Sequence, residues 1–420
     1  GSSLGGVINI ITKEPANARR PSGTVTGSYG EKNSQDYSAD ISGKIGSAGY
    51  YLYAGHQASD GLRDERFFHN NSLYAKIRLP LTEDVKLGFT FGYSEPKQKF
   101  LYSPAFDITS EGDLSTLFTT LSLDAVITPA LTFNMDFHTF RQKFTQTNHV
   151  FGSGIFGPAG DLFSENTYKE RTTGGTAKLV WKHDIQTAVL GADISQGDLD
   201  QTLNFGPALQ SWGLPAALTS TPDVDRWAVF LNDTVTLGGF SVTPGIRYDH
   251  NSVSGNFTSP SLGMTYKAGE RTLLRASAAR GFTMPPLGFS SAGGLFLDPN
   301  PLLKPERVWS YQAGVESGVT DHLWVKATLF YHDMKDAIVK KPFAGGPPAF
   351  NDLFVNEGNI KRRGIELEAE TVPFYNVSLK TGFVYLKKKL SQDDEEMDNY
   401  VYNLLLKYDD RRSFLAQLFG

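Results

Sequence analysis

The segment Val85-Lys86-Leu87-Gly88-Phe89-Thr90-Phe91-Gly92-Tyr93 decides the fold, because an apolar residue falls at every second position without a break. A period of two gives an extended strand one apolar and one polar face. The pattern recurs where Leu131, Phe133, Met135 and Phe137 alternate with Thr132, Asn134, Asp136 and His138. It recurs again where Val377, Leu379, Thr381, Phe383 and Tyr385 alternate with Ser378, Lys380 and Gly382. From about Ser22 onward strand follows strand with almost no helical period. Roughly eighteen complete strand candidates result, more than the about ten that an open sheet accommodates.

The connections between these strands alternate in length. Short turns are expected at Ser47-Ala48, Leu81 to Glu83, Thr128-Pro129, His183-Asp184, Gly238-Gly239, Ala268-Gly269 and Asp409-Asp410. Between them lie long connections near 94–118, 146–165, 198–224, 282–305 and 336–359. Short turns on one side and long loops on the other characterise an outer-membrane barrel, and neither a sandwich nor a propeller requires them. The expected fold class is therefore all-β, a large antiparallel transmembrane β-barrel.

Composition is consistent with this. No run approaches the roughly 18 apolar residues of a membrane helix, and alternating strands average to modest hydropathy. The absence of cysteine removes disulfides, thiolate chemistry and cysteine metal sites together. A formal net charge of −5 leaves no basic footprint for nucleic acid. The histidines at 56, 69, 138, 149, 183, 250, 322 and 332 are scattered, and no local motif joins one to a serine nucleophile. No catalytic residue, cofactor or resident metal is expected, and the protein is not read as an enzyme. A lysine facing lipid at the midplane costs roughly 2–4 kcal/mol, so Lys86, Asp136 and Lys380 should face the lumen, and the Val85 and Leu131 series should face lipid. Tyr50, Tyr51, Tyr53, Tyr93, Tyr248, Tyr266 and Tyr385, near strand ends, suit either interfacial girdles or cross-strand packing.

Three blocks carry a family resemblance. Gly1-Ser2-Ser3-Leu4-Gly5-Gly6-Val7-Ile8-Asn9-Ile10-Ile11-Thr12-Lys13 resembles the end of the plug domain of TonB-dependent outer-membrane receptors. Ala279 to Ser290, followed by Asp298 to Glu316, is similar to that family's late-barrel signature. Phe354 to Glu370 resembles the strand two strands later. The motif residues are Gly5, Gly6 and Asn9; Asn300, Pro301, Lys304, Pro305 and Glu306; and Gly364 with Glu366. The resemblance implies a barrel of about 22 strands behind an N-terminal plug, with about 18–19 strands present here. Residues 1–20 are then the end of the plug and its linker, and 21–420 a barrel lacking its last strands.

The resemblance also implies the function: energy-coupled uptake of a scarce ligand across a Gram-negative outer membrane, by a monomer embedded in outer-membrane lipid. TonB would be the partner, acting through an upstream motif. A ferric siderophore is the expected cargo as the family's commonest ligand. A corrinoid such as cobalamin, a passive porin and a haem receptor are the alternatives, in that order. Phe282-Thr283-Met284-Pro285 and Asn300-Pro301-Leu302-Leu303 loosely match haem-receptor boxes, but no histidine lies between Gly281 and Lys304.

Candidate ligand contacts lie in the long connections: Phe100, Tyr102 and Phe106; His149, Phe151, Phe156 and Phe163; Phe205 and Trp212; Phe289 and Phe296. Aromatic loops suit large flat or catecholate-like ligands, and they equally suit loop-on-loop packing. Arg280 and Arg247 are candidate donors to an anionic ligand, or partners of lumenal carboxylates. The run Asp393-Asp394-Glu395-Glu396 reads as a solvated loop tip or a calcium site, as do Asp60, Asp64 and Glu65.

Overall fold

The computed structural model describes residues 12–61, 66–103, 107–152, 154, 156–342, 352–390, 396–410, 412 and 414–420. The motif residues Gly5, Gly6 and Asn9, the loop residue Phe106, and the acidic residues Asp64, Glu65 and Asp393 to Glu395 lie outside the described residues. Phe100 and Tyr102 are placed by their backbone alone.

One sheet runs through the chain, antiparallel throughout its wall. Its first half contains β1 (Ser22–Gly30), β2 (Ser34–Ile45), β3 (Ala48–Ser59), β4 (Phe67–Pro80), β5 (Val85–Ser103), β6 (Ile108–Thr128), β7 (Leu131–Val150), β8 (Leu162–His183) and β9 (Gln186–Phe205). After a five-residue helix α1 (Pro207–Ser211) and the short β10 (Ala217–Ser220) come β11 (Asp223–Leu237), β12 (Phe240–Asn251), β13 (Gly255–Lys267) and β14 (Thr272–Thr283). The two-residue β15 (Leu297–Asp298) precedes β16 (Glu306–Thr320), β17 (Leu323–Pro342), β18 (Asp352–Thr371), β19 (Val377–Leu390), β20 (Glu396–Asp409) and β21 (Leu415–Phe419). Without β10 and β15, nineteen of the 21 strands form the wall. Each wall strand pairs with its sequence neighbours, and among the described residues β1 pairs only with β2 and β21 only with β20.

The short turns fall where the sequence places them, within one or two residues. Apart from 284–305, the long connections are shorter than expected. Residues 94–103 continue β5 and 108–118 open β6, and β7 and β8 run to Val150 and from Leu162. Polar alternation continues in these segments, so they pair as extensions of strands that reach 22 residues in all. Two connections on the same side, 31–33 and 252–254, are only three residues long. The final strand begins at Leu415.

Register assigns the two faces. Arg78 donates to Ser122 Oγ at 3.0 Å, which places both on the inner wall. Ser122 opposes Asp136, and Asp136 opposes Thr176 in the ladder. Lys86, opposite Pro80 and Asp124, shares that face. Lys380 opposes Glu370 and pairs with it at 3.5 Å, alongside the inward pair Lys326–Glu368. The other face is an apolar band that includes Leu73, Phe89, Leu121, Met135, Phe137, Ile194, Leu231 and Leu329, all exposed. Of the seven strand-end tyrosines, Tyr51 and Tyr53 point inward, opposite Lys76 and Tyr74 on β4. Tyr51 is buried there, because the lumenal segment 12–16 covers it with Lys13 lying 5.6 Å over its ring.

Candidate functional site

Two packed layers lie against the inner wall. At the turn side, segment 12–16 is tied to the wall: Tyr74 donates to Thr12 Oγ1 at 2.8 Å, and the Ala16 amide donates to Ser42 Oγ at 2.7 Å. Glu14 pairs with both Lys76 and Arg78, the latter at 3.2 Å. Burial is the strongest single influence on the Glu14 carboxyl and opposes its charge. The hydrogen bonds and positive charge of Arg78 and Lys76 together outweigh it and hold the group below the usual carboxylate range.

At the loop side, the apolar residues of the connections fold inward. Ile108, Val150, Phe156, Phe163, Leu203, Phe205 and Leu209 form one buried cluster, with Phe296 packed against it. Phe156 meets Phe163 edge-on at 5.5 Å and Trp212 at 5.7 Å. Beside the cluster, a buried chain of hydrogen bonds links Ser110, Asn148 and Ser164. His149 Nδ1 lies 3.3 Å from the Gly160 carbonyl. Phe151 and Trp212 remain exposed.

The connection 284–305 spans the mouth as a strut. Gln201 on β9 and Ser220 on β10 donate to the carbonyls of Gly293 and Ser291, each at 3.3 Å. At the other end β15 pairs with β18, and the Asp352 amide donates to the Phe296 carbonyl. The late-barrel motif makes this second anchor. Asn300 Nδ2 donates to the Phe354 carbonyl at 2.7 Å, while its Oδ1 accepts the Leu302 amide across Pro301. Lys304 exchanges both backbone hydrogen bonds with the Asn356 side chain, one residue before Pro305. Glu306 accepts the Ile338 amide at 2.8 Å. Phe289 stacks on Phe354 at 3.9 Å. Gly364 sits where a Cβ would lie 2.1 Å from the Tyr385 carbonyl oxygen. Glu366 faces Thr328 on the inner wall.

Beneath the strut lies a lumenal recess of about 350 Å³, lined by Asp193, Arg226, Arg247, Asp249, Phe282 and Met284 among others. Arg247 is neutralised by Asp193 at 2.5 Å and Asp249 at 2.8 Å, with Phe230 5.5 Å beneath its guanidinium. Arg280 lies outside this lining, 4.5 Å over the Phe257 ring, which packs on Phe282. Arg226 opposes Ser195 and Asn251 and has no carboxylate partner among the described residues. Asp249 Oδ2 is buried without a hydrogen-bond partner. The recess thus offers one cation without an ion pair and one spare acceptor against apolar walls. Arg226 was not among the sequence candidates, because a lone arginine on an alternating strand has no local signature. Only the parity of β11 shows that it points inward. No group of three or more metal-ligating side chains occurs among the described residues.

The comparisons agree with this architecture. Residues 17–412 match the family model "TonB dependent receptor-like, beta-barrel". The ferric enterobactin receptor of Pseudomonas aeruginosa is 27% identical over 207 residues, which cover 44% of this chain and 28% of that protein. The ferrienterobactin receptor of Escherichia coli is 25% identical over 205 residues, covering 43% and 27%. The matched region therefore spans little more than a quarter of the length of these relatives. The crystal structure of the siderophore receptor PirA from Acinetobacter baumannii superposes with a TM-score of 0.76 at 16% identity, covering 99% of this chain and 69% of that one. With an inward-facing polar wall, a membrane-facing apolar band and a mouth strut built on its late-barrel motif, the chain belongs to the TonB-dependent receptor β-barrel family.

Proposed function

We propose that this chain forms the barrel of a Gram-negative outer-membrane receptor that imports a ferric siderophore of the catecholate class, with TonB as the energy-transducing partner. In this reading residues 1–20 are the end of a plug and 21–420 the barrel. The family's members are transport receptors, and two relatives are named for ferric enterobactin. The observation that carries the reading is Arg226, a guanidinium without an ion-pair partner among the described residues, in the recess beneath the mouth strut. An anionic iron complex supplies a direct partner for this guanidinium, and the apolar walls accept its aromatic rings. The exposed Phe151 and Trp212 offer first contacts at the mouth, whereas Phe156, Phe163, Phe205 and Phe296 hold the mouth together.

Quenching of intrinsic tryptophan fluorescence in the intact receptor tests this, since the chain carries five tryptophans. Ferric enterobactin should quench saturably, and cobalamin should not. Arg226→Ala should weaken binding by about tenfold or more, as expected for losing a charged hydrogen bond of about 1.5–3 kcal/mol. Arg280→Ala should change affinity little. Quenching by cobalamin alone would replace the siderophore with a corrinoid. An unchanged affinity in Arg226→Ala would remove the recess from the binding path.

A further inference from the structure

The recess beneath the strut holds more chemistry than the arginine that marks it. Inward-facing rows of the ladder cross it. The row nearest the mouth runs through Ser195, Arg226 and Asn251. The next runs through Asp193, Ala228, Asp249 and Phe257. The third runs through Gly191, Phe230 and Arg247. Two carboxylates therefore stand in one row, on either side of a residue whose side chain is a single methyl group. Ala228 leaves open the space between them that a longer side chain would fill.

Arg247 reaches across from the third row and takes one oxygen of each carboxylate, Asp193 Oδ2 through Nη1 and Asp249 Oδ1 through Nε at 2.8 Å. One guanidinium thus answers two carboxylates, and one negative charge is left over. The second oxygen of Asp249 is buried and accepts no hydrogen bond, in a residue only 8% exposed. A buried acceptor without a donor carries the full cost of its desolvation, so this position calls for a donor. Arg226 does not supply it. Its Nη2 lies 3.8 Å from where a Cβ of Gly197 would stand, and Gly197 belongs to the next inward row toward the mouth, opposite Val224.

The recess is polarised as a result. A cation without an ion pair sits toward the mouth, and a carboxylate pair in excess over its guanidinium sits deeper. A simple anion satisfies the first and is repelled by the second, whereas a ligand arm carrying both signs satisfies both. Successive inward rows are two residues apart along a strand, about 7 Å. The flexible four-carbon stem of a lysine spans such a gap. At about 350 Å³ the recess lies at the small end of ligand sites, with room for one arm of an iron complex and not for the whole.

We propose that the recess selects an aminoacyl catecholate, an arm that carries a free amine as well as a carboxylate. The carboxylate meets Arg226. The ammonium lies over Ala228 between Asp193 and Asp249 and donates to Asp249 Oδ2. This inference rests on the siderophore reading above and narrows it from catecholates in general to those bearing an amine.

Tryptophan quenching of the intact receptor at neutral pH tests it with two ligands. One is the ferric complex of dihydroxybenzoyl-lysine, whose side-chain amine is free, and the other is the same complex with that amine acetylated. The free amine should bind about tenfold tighter or more, as expected for a hydrogen bond between charged groups. Asp249→Asn should abolish the difference, while Arg226→Ala should weaken both complexes and preserve their ratio. The comparison of the two ligands on the parent needs no variant, so it decides the matter even if Asp249→Asn fails to fold. Equal affinity of the parent for both complexes would overturn the amine site and leave the siderophore reading standing. A preference that survived Asp249→Asn would also overturn it, by placing the ammonium elsewhere. Silence of the parent toward both complexes and toward ferric enterobactin would instead overturn the siderophore reading, and the amine site with it.

Discussion

Glu14 shows how one residue outside the wall holds to a buried charge within it. The Lys76 side chain is only 5% exposed and finds its counter-charge in Glu14, which is itself 56% exposed. Glu14→Gln leaves a buried ammonium without an anion and should cost about 1–3 kcal/mol in barrel stability. Lys76→Met removes the buried charge together with its need for a partner and should cost less. The pH dependence follows from the direction of the shift. The Glu14 carboxyl is held below its ordinary value of 4.5, so its contribution is complete above that value and fades as pH falls through the lowered folded value. Urea midpoints of the parent and Glu14→Gln should therefore differ at pH 7 and converge in acid. A gap that persisted well below the carboxylate range would show that the loss is steric.

At the scale of elements, β18 and β19 approach so closely that only glycine fits at 364. Gly364→Ala places a methyl carbon 2.1 Å from the Tyr385 carbonyl oxygen and 2.6 Å from the Phe330 ring. It should cost about 1–3 kcal/mol, the usual range for overpacking. Gly288→Ala in the strut meets nothing within 4 Å and should be neutral. Thermal melting of the two variants side by side checks the contrast, and equal melting points would refute it. These elements also show what is legible in a sequence. Alternation in 85–93 and 131–137 identified the strands and their faces, because period two is a local property. The ends of β5, β6, β7 and β8 were not legible, since polar residues continue the alternation above the membrane and read as loop. The inward folding of Phe156, Phe205 and Phe296 was illegible for a different reason. It depends on contacts between segments far apart in the chain, as does the approach of Gln201 to Gly293, 92 residues away. The late-barrel motif was visible as a motif, but its work of anchoring the strut to β18 through Asn300 and Lys304 emerges only in three dimensions.

For the whole molecule, the wall separates two environments, and a single parity rule links them through every strand. Inside, charges neutralise one another across strands, as in Lys326–Glu368 and Arg247–Asp193, and Arg226 stands out because it does not. Outside, the band is apolar, as at Leu121, Met135 and Leu231. A register slip of one residue in any strand would exchange the faces and place Lys86, Asp136 or Lys380 in lipid, at roughly 2–4 kcal/mol for a lysine at the midplane. Single cysteines report the faces directly, since the chain contains none of its own. With the intact receptor in lipid vesicles, Lys86→Cys and Asp136→Cys should react with a membrane-impermeant maleimide, because both lie on the polar inner face. Leu87→Cys and Phe133→Cys should remain unreacted until detergent removes the lipid. The four positions belong to β5 and β7, which are joined through β6 with one register shift near Lys99 and one near Val126. Both shifts lie outside the ladder stretch that links Lys86 to Asp136, so the two strands must report the same parity. Labelling of Leu87→Cys together with Asp136→Cys would break that linkage and place a slip between β5 and β7. Labelling of Leu87→Cys and Phe133→Cys together, with the other two silent, would invert the wall and with it the assignment of Arg226 to the lumen.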